Sequence, residues 1–425
     1  MAIAEQPTPV TTDKGLQAGA LGLVGNVVIG LAAVAPAYSL AATLGYVVLH
    51  VGDKAPAMFV LAFIPMLLVA FAYKELSQDT PDCGTTFTWG TKAFGPWIGW
   101  IGGWGLAVSA IIVLANVAEI AAVYLFKFLG QDALADNLYA KVALGSFFII
   151  SMTLVSARGV VVSEKMQNVL IAIQFGVLIV ASVWALIRVF GNTAGAQAVS
   201  PSLSWLWPSG LDISSIAAAI ILCVFIYWGW DACLAVGEET KDPGRTPGIA
   251  AVITTLILVC TYVLVAYAVQ SFAGFSVVGI GLNNPNNTDD VLTVLGAPVG
   301  GPILASLLLL TVSVSALSST QTTILPTARG TLSMARAASD DSANSQFFIV
   351  FYPRFSLDKK YTNFGRVIEN MEAVDAINRG EPPASPTYIV QASIAADGKA
   401  PPPPPAAPAQ EAPITADMLS AAPGK

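Results

Sequence analysis

Eight apolar runs, at roughly 18–49, 56–77, 96–128, 140–157, 166–190, 213–236, 247–273 and 300–325, decide what this chain can fold into. A helix crosses the hydrocarbon of a bilayer with about 20 such residues. In lipid the backbone has no water to bond, so each run must be helical. The first and third runs exceed one crossing, which predicts tilt or a break. Only 11% of the residues are charged, against about 25% in soluble domains, so lipid is the main solvent. The expected fold is therefore an all-α polytopic membrane protein.

The net charge of -7 forms no basic stripe, so no nucleic-acid partner is expected. Cys83, Cys223, Cys233 and Cys260 lie in or beside apolar segments with no CxxC pair, and His50 is the single histidine. Buried thiols are expected, with no metal site and no cofactor. The first residues, "MAIAEQPTPVTTDKG", lack the basic start of a signal peptide, so retention of this segment is expected. A cytoplasmic N-terminus places Lys14, Lys74, Lys92, Arg158, Lys165, Lys241, Arg245, Arg329 and Arg336 inside. Lys54, Lys127, Lys141 and Arg188 then lie outside. That asymmetry obeys the positive-inside rule.

Clusters of His, Asp or Glu at ligand spacing are absent, and interruptions of the helices carry more information. The first run, "GNVVIGLAAVAPAYS", holds Gly30 with Pro36 behind it; the sixth, "FIYWGWDACLAVGEETKDP", holds Gly229 and Asp231. Breaks at membrane depth are tolerated where they line a cavity. Paired breaks in helices one and six, the first helices of two five-helix halves, point to a transporter site. Positive helix ends could hold a carboxylate and freed carbonyls an ammonium, which suits an amino acid. Alternatively, Gly30 only permits close helix packing.

These segments also resemble the amino acid–polyamine–organocation permease superfamily. The motif "YKELSQDTPDCGTTFTWGTKAFGPWIGWIGGWG" carries Glu75, Leu76, Pro81, Gly84, Phe94, Gly95, Pro96, Gly103 and Trp104 in that family's pattern. The sixth run and its exit match through Glu238, Glu239, Lys241, Asp242, Pro243, Arg245 and Pro247. The resemblance implies a leucine-transporter-like 5+5 inverted repeat, usually of twelve helices, that moves amino acids or polyamines by alternating access. It places substrate contacts on an unwound segment of Ile29, Gly30, Leu31 and Ala32, and on Ile226 and Gly229 at the sixth-helix break. Phe225 falls where relatives carry a gating aromatic, with plain packing as its alternative.

The sequence departs from that pattern in two places. "IGLAA" keeps one glycine of a Gly-Ser-Gly-like run, and Gln174 stands near the lysine that some proton-coupled relatives carry. A coupling H+ or Na+ is thus part of the expectation only through the family. Thr311, Ser313, Ser315 and Ser318 either face an ion or bond backbone carbonyls, the second reading being favoured. Glu119 and Asp231 are intramembrane acids without a basic neighbour in sequence, which makes each a candidate for coupling or for a cationic substrate. Glu119 could instead be neutral within the bundle or wetted at the outer surface, and Asp231 could brace the break.

After Ala337 the composition changes. "SMARAASDDSANSQFFI" and "SLDKKYTNFGRVIENMEAVDAI" resemble the later half of a cyclophilin, the barrel-shaped prolyl isomerase, over roughly 330–395. Ala335, Gln346, Phe348, Leu357 and Tyr361 match its proline-pocket positions, while no "FHR"-type element for the catalytic arginine is present. "GTLSMARA" satisfies both families. The expected organisation is a permease domain over 1–337 ending after about eight helices, an incomplete β-barrel fragment over 338–396, and a disordered Pro/Ala tail over 397–425.

The expected function is secondary transport of amino acids or amines across the cytoplasmic membrane, with both termini cytoplasmic. Loss of the last four helices is expected to impair the cycle. The alternatives are a membrane-tethered isomerase or an inactive chimera. With the arginine absent, no enzyme and no catalytic residue is expected.

Overall fold

The computed structural model of the chain describes residues 19–324, three strands at Thr331–Met334, Phe347–Val350 and Asn363–Arg366, and Ile377. Helices dominate: α1 (Leu23–Val34), α2 (Pro36–Val51), α3 (Ala55–Asp79), α4 (Thr86–Phe94), α5 (Pro96–Phe128), α6 (Asp132–Asp136), α7 (Leu138–Ala157), α8 (Val160–Phe190), α9 (Ile213–Tyr227), α10 (Thr246–Ala273) and α11 (Val291–Ile324). Among the described residues, seven segments are long and apolar enough to cross a membrane. The sequence predicts eight; the difference lies in the first segment, Leu23–Asp79, whose 57 residues hold two of the predicted runs.

Local chemistry sets the helix ends. Pro36 and Pro96 stand at the starts of α2 and α5, where a missing N–H removes no helical bond. Asn137 caps α7 by accepting from the Ala140 N–H at 3.1 Å. The third run, expected to tilt or break, does not break: α5 continues for 33 residues, about 50 Å at 1.5 Å per residue, long enough to cross at a tilt. α11 is instead two helices joined at a kink, where Gly300 leaves helical geometry and Gly301 takes φ +74° between Pro298 and Pro302.

The main packing pairs are α3 with α10, α5 with α11 and α8 with α11. α1 lies against α8, α10 and α11, so the broken first helix is enclosed on several sides. An aromatic knot locks the centre. Tyr227 and Tyr262 meet edge-on at 5.0 Å, and the Tyr227 hydroxyl donates to the Phe59 carbonyl at 3.1 Å.

β1 (Thr331–Met334), β2 (Phe347–Val350) and β3 (Asn363–Arg366) form an antiparallel sheet ordered β2-β1-β3. Thr331 pairs with Val350 and with Arg366, with an irregularity on the β3 side between Leu332 and Ser333. Three strands of four residues do not close a barrel, so the barrel reading is not carried by the described residues. The remainder of 338–396 and the tail at 397–425 lie outside the described residues.

Candidate functional site

The first helix breaks at Ala35, which adopts φ 50° between α1 and α2. Proline's ring clashes with the backbone before it and disfavours helical geometry at the preceding residue. The break therefore falls next to Pro36 and not at Gly30. This corrects the expected unwound segment: Ile29, Gly30, Leu31 and Ala32 are helical and buried. Gly30 serves close approach, since a Cβ there would meet Thr254 Oγ1 at 2.9 Å.

The sixth-run break falls where the sequence puts it. α9 ends at Tyr227, Trp228 is extended, and Gly229 takes φ +115° before a short 3-10 turn at Trp230–Cys233. A Cβ on Gly229 would lie 2.9 Å from the Ala33 carbonyl oxygen, so the two breaks touch. Their freed carbonyls are satisfied by hydroxyls. Ser319 Oγ donates to Ala33 O at 2.8 Å, Ser39 Oγ to Val34 O at 2.8 Å, and Tyr262 Oη to Ile226 O at 2.6 Å.

Beside these breaks lies a cavity of about 120 Å³. Its wall includes Ala33, Val34 and Ala35 from the first break and Phe225, Ile226, Gly229 and Asp231 from the second. α5 adds Leu106, Val113, Asn116 and Val117, and α11 adds Ser319 and Thr322. The Tyr38 hydroxyl donates to Asn116 Oδ1 at 3.0 Å across this wall. Phe225 is 65% exposed while lining the cavity, so it stands at an open flank.

Of the residues expected at the site, Phe225, Ile226, Gly229 and Asp231 meet there, and Ile29–Ala32 do not. Glu119 lies elsewhere. It forms an ion pair with Lys141 at 2.8 Å and is 46% exposed. Glu119 has no basic neighbour in sequence, but α7 packs beside α5 and delivers a lysine that is distant in sequence. Sequence reasoning missed Tyr38, Asn116 and Ser319. Asn116, a lone amide in an apolar run, offered a usable signal.

Elsewhere, Ser313 donates to Ala121 O at 2.8 Å and Thr311 to Leu307 O at 2.7 Å, as hydroxyls in lipid are expected to do. Ser318 donates to Gln167 Oε1 instead. Gln174 is fully buried, with no hydrogen-bond partner for its amide among the described residues. Cys83, Cys223 and Cys233 are buried, whereas Cys260 is exposed on α10, contrary to expectation.

Seven apolar segments among the described residues, two of them broken beside one cavity, are those of a multi-pass membrane protein. A family model for amino acid permeases matches residues 17–338, and the chain belongs to that family. Among curated relatives, the low-affinity putrescine importer PlaP of Escherichia coli (strain K12) is 26% identical over 59% of this chain and 54% of its own. The methylthioribose transporter of Bacillus subtilis (strain 168) is 24% identical over 52% and 48%. The chain thus spans about half the length of these relatives. MhsT, solved in complex with L-phenylalanine, is 19% identical over 71% of each chain with a TM-score of 0.49.

A cyclophilin-type peptidyl-prolyl cis-trans isomerase model matches residues 313–394. A probable peptidyl-prolyl cis-trans isomerase of Brucella abortus (strain 2308) is 43% identical over 17% of this chain and 40% of its own. These matches overturn the expectation that the chain is no enzyme. That expectation weighed the absence of the half that carries the catalytic arginine, whereas a segment of an enzyme family is present in its own right. The two family matches overlap over 313–338. In that overlap the chain is helical to Ile324 and enters β1 at Thr331.

Proposed function

We propose that this chain is a secondary transporter of amino acids or related amines, working by alternating access across the cytoplasmic membrane. Residues 1–337 act as the permease domain, with a leucine-transporter-like inverted-repeat plan and a cytoplasmic N-terminus. The observation that carries this reading is the contact of two helix breaks at one cavity, Gly229 against the Ala33 carbonyl. Helix ends exposed at such breaks are the means by which a helical membrane protein presents polar groups to a solute at mid-depth. Ala33, Val34 and Ala35 replace Ile29–Ala32 as the first-helix contacts. The amino acid permease match and the printed names of the transporter relatives support the same reading. A coupling H+ or Na+ is part of the proposal; Gln174 supplies no titrating group for it.

Uptake into proteoliposomes tests the reading. Purified chain should concentrate a radiolabelled amino acid or amine above empty liposomes, and Gly229→Val should abolish that uptake. A solute flux equal in wild type and variant would overturn it.

A second reading, carried by the cyclophilin-type match, is prolyl isomerisation by residues 338–396 together with β1. Phe348, in β2, pairs in register with Ser333; Ala335, Gln346, Leu357 and Tyr361 lie outside the described residues. Full-length chain should then speed the exchange of an Xaa-Pro peptide, which takes tens to hundreds of seconds uncatalysed. An unchanged rate would remove this reading.

A further inference from the structure

We infer that the acyl chain of a bilayer phospholipid enters this cavity through a gap between α5 and α9 and lies against Phe225. The lipid site stands on the geometry of the gap. The chain's service as the missing wall of a solute site rests on the transporter-site reading.

Placement is the first argument. Asn116 on α5 and Phe225 on α9 both line the cavity and both are exposed, so the opening lies between them. α5 packs on α4, α7 and α11, and α9 packs on α2 and α3, which leaves the two helices as separate lips. Successive crossings by α5, α7, α8 and α9 alternate in direction, so Phe128 at the end of α5 and Ile213 at the start of α9 share one membrane face. From those ends, Asn116 and Phe225 each lie about 18 Å in, at 1.5 Å per residue. The hydrocarbon layer is about 30 Å thick, so the gap opens at core depth.

The chemistry of the gap is the second argument. Its inner wall comes from Leu106, Ala110 and Val113 on α5 and from Phe225 on α9. That lining is continuous with the lipid-facing surface, through exposed Ile111 and Ile112 on α5 and exposed Ile221 one turn before Phe225. The polar groups nearby are satisfied within the protein. The Tyr38 hydroxyl donates to Asn116 Oδ1 at 3.0 Å, Ser39 Oγ to Val34 O at 2.8 Å and Ser319 Oγ to Ala33 O at 2.8 Å. Asp231 lines the cavity from the turn after Gly229 and stands on neither lip. Water filling the gap would set a polar column against hydrocarbon, whereas an acyl chain meets apolar side chains on both lips. The chain thereby closes the flank that the protein leaves open.

Photolabelling tests the site. The full-length chain is placed in phosphatidylcholine nanodiscs doped with a phosphatidylcholine that carries a diazirine at mid-chain, and adducts are mapped by mass spectrometry. Ile111 and Ile112 report ordinary lipid contact; Ala110 and Val113 face the cavity. Adducts are expected on both pairs. Val113→Trp fills the gap and should abolish labelling of Ala110 while leaving that of Ile111 unchanged. Adducts confined to Ile111, Ile112 and Ile221 would overturn the inference and leave the site reading, tested by uptake, where it stands. A second copy of the chain in the gap would show as a disulfide-linked dimer of Ile112→Cys on a Cys260→Ser background, with Ala110 and Val113 unlabelled, and would overturn it too. Should Val113→Trp fail to fold, the pattern in wild type alone decides.

Discussion

At the scale of single residues, the first break shows how a correct reading can be misplaced. Gly30 and Pro36 are both visible in the sequence, and either could interrupt a helix. The structure chooses proline, because its missing N–H and its ring act on the chain whatever surrounds it. Glycine only permits a departure, and at Gly30 tight packing against Thr254 keeps the helix intact. Ala35 bears the consequence as a non-glycine residue at φ 50°, a conformation costing on the order of 1 kcal/mol. The end of α9 away from the break is set by Asp212, which caps that helix. Its carboxylate accepts from Ser214 Oγ at 2.6 Å, the Ser215 N–H at 2.9 Å and Ser215 Oγ at 2.8 Å. Those bonds hold its pKa well below the ordinary carboxylate value. A depressed folded-state pKa gives stability that is complete above the unfolded value, about 3.9, and is lost as pH falls through the lower folded one. Asp212→Ala should therefore melt below wild type at pH 7, with the gap closing as the pH drops below 4. A gap independent of pH across that interval would remove the charged cap as its cause.

At the scale of elements, the apolar runs were legible because lipid leaves the backbone one choice, and the helices fall close to where hydropathy puts them. Partnerships between helices were not legible. Glu119 is unpaired in sequence and paired in space, since nothing in α5 reveals that α7 sets Lys141 beside it. The same holds for an amide network. Gln167 Nε2 donates to Ser318 O at 3.0 Å and to Gln321 Oε1 at 2.5 Å, and Gln321 Nε2 donates to Ser156 Oγ at 3.1 Å. It ties α7, α8 and α11 next to Ser319, which holds the Ala33 carbonyl. Hydrogen bonds between helices in lipid average about 0.6 kcal/mol, but stranding a buried partner costs about 1–3 kcal/mol. Gln167→Leu strands both Ser318 Oγ and Gln321 Oε1, so the larger figure governs. Adding Gln321→Leu should cost less than the two single changes summed, because the second removes a group the first had stranded. Reversible unfolding in mixed micelles measures all three variants, and strict additivity would show that the amides do not act together.

At the scale of the whole molecule, two families claim residues 313–338, and physical context divides the claim. The stretch up to Ile324 has α5, α8 and α2 to pack against and is helical, while Thr331–Met334 has β2 and β3 and is extended. Sequence motifs alone could not draw that line, because "GTLSMARA" fits either pattern. Thiols offer a test of the packing of the helical part. Cys83 lies ahead of α4, Cys223 in α9, Cys233 in the turn after the sixth-run break and Cys260 on α10. Three are buried and Cys260 alone is exposed. The exposed thiol faces the groove lined by Leu186, Phe190, Val263 and Tyr267, an apolar surface that a water-soluble reagent does not enter. A maleimide on a long alkyl chain partitions into detergent and reaches such a surface. Native protein should then take up one label, found on Cys260 by mass spectrometry, and unfolded protein four. Labelling of Cys233 in the native state would mean that the turn after the sixth-run break is open, and the cavity could not keep the wall it has here. Labelling confined to Cys260, and lost on Cys260→Ser, would fix α9, α10 and the break between them in the packing that the proposed site requires.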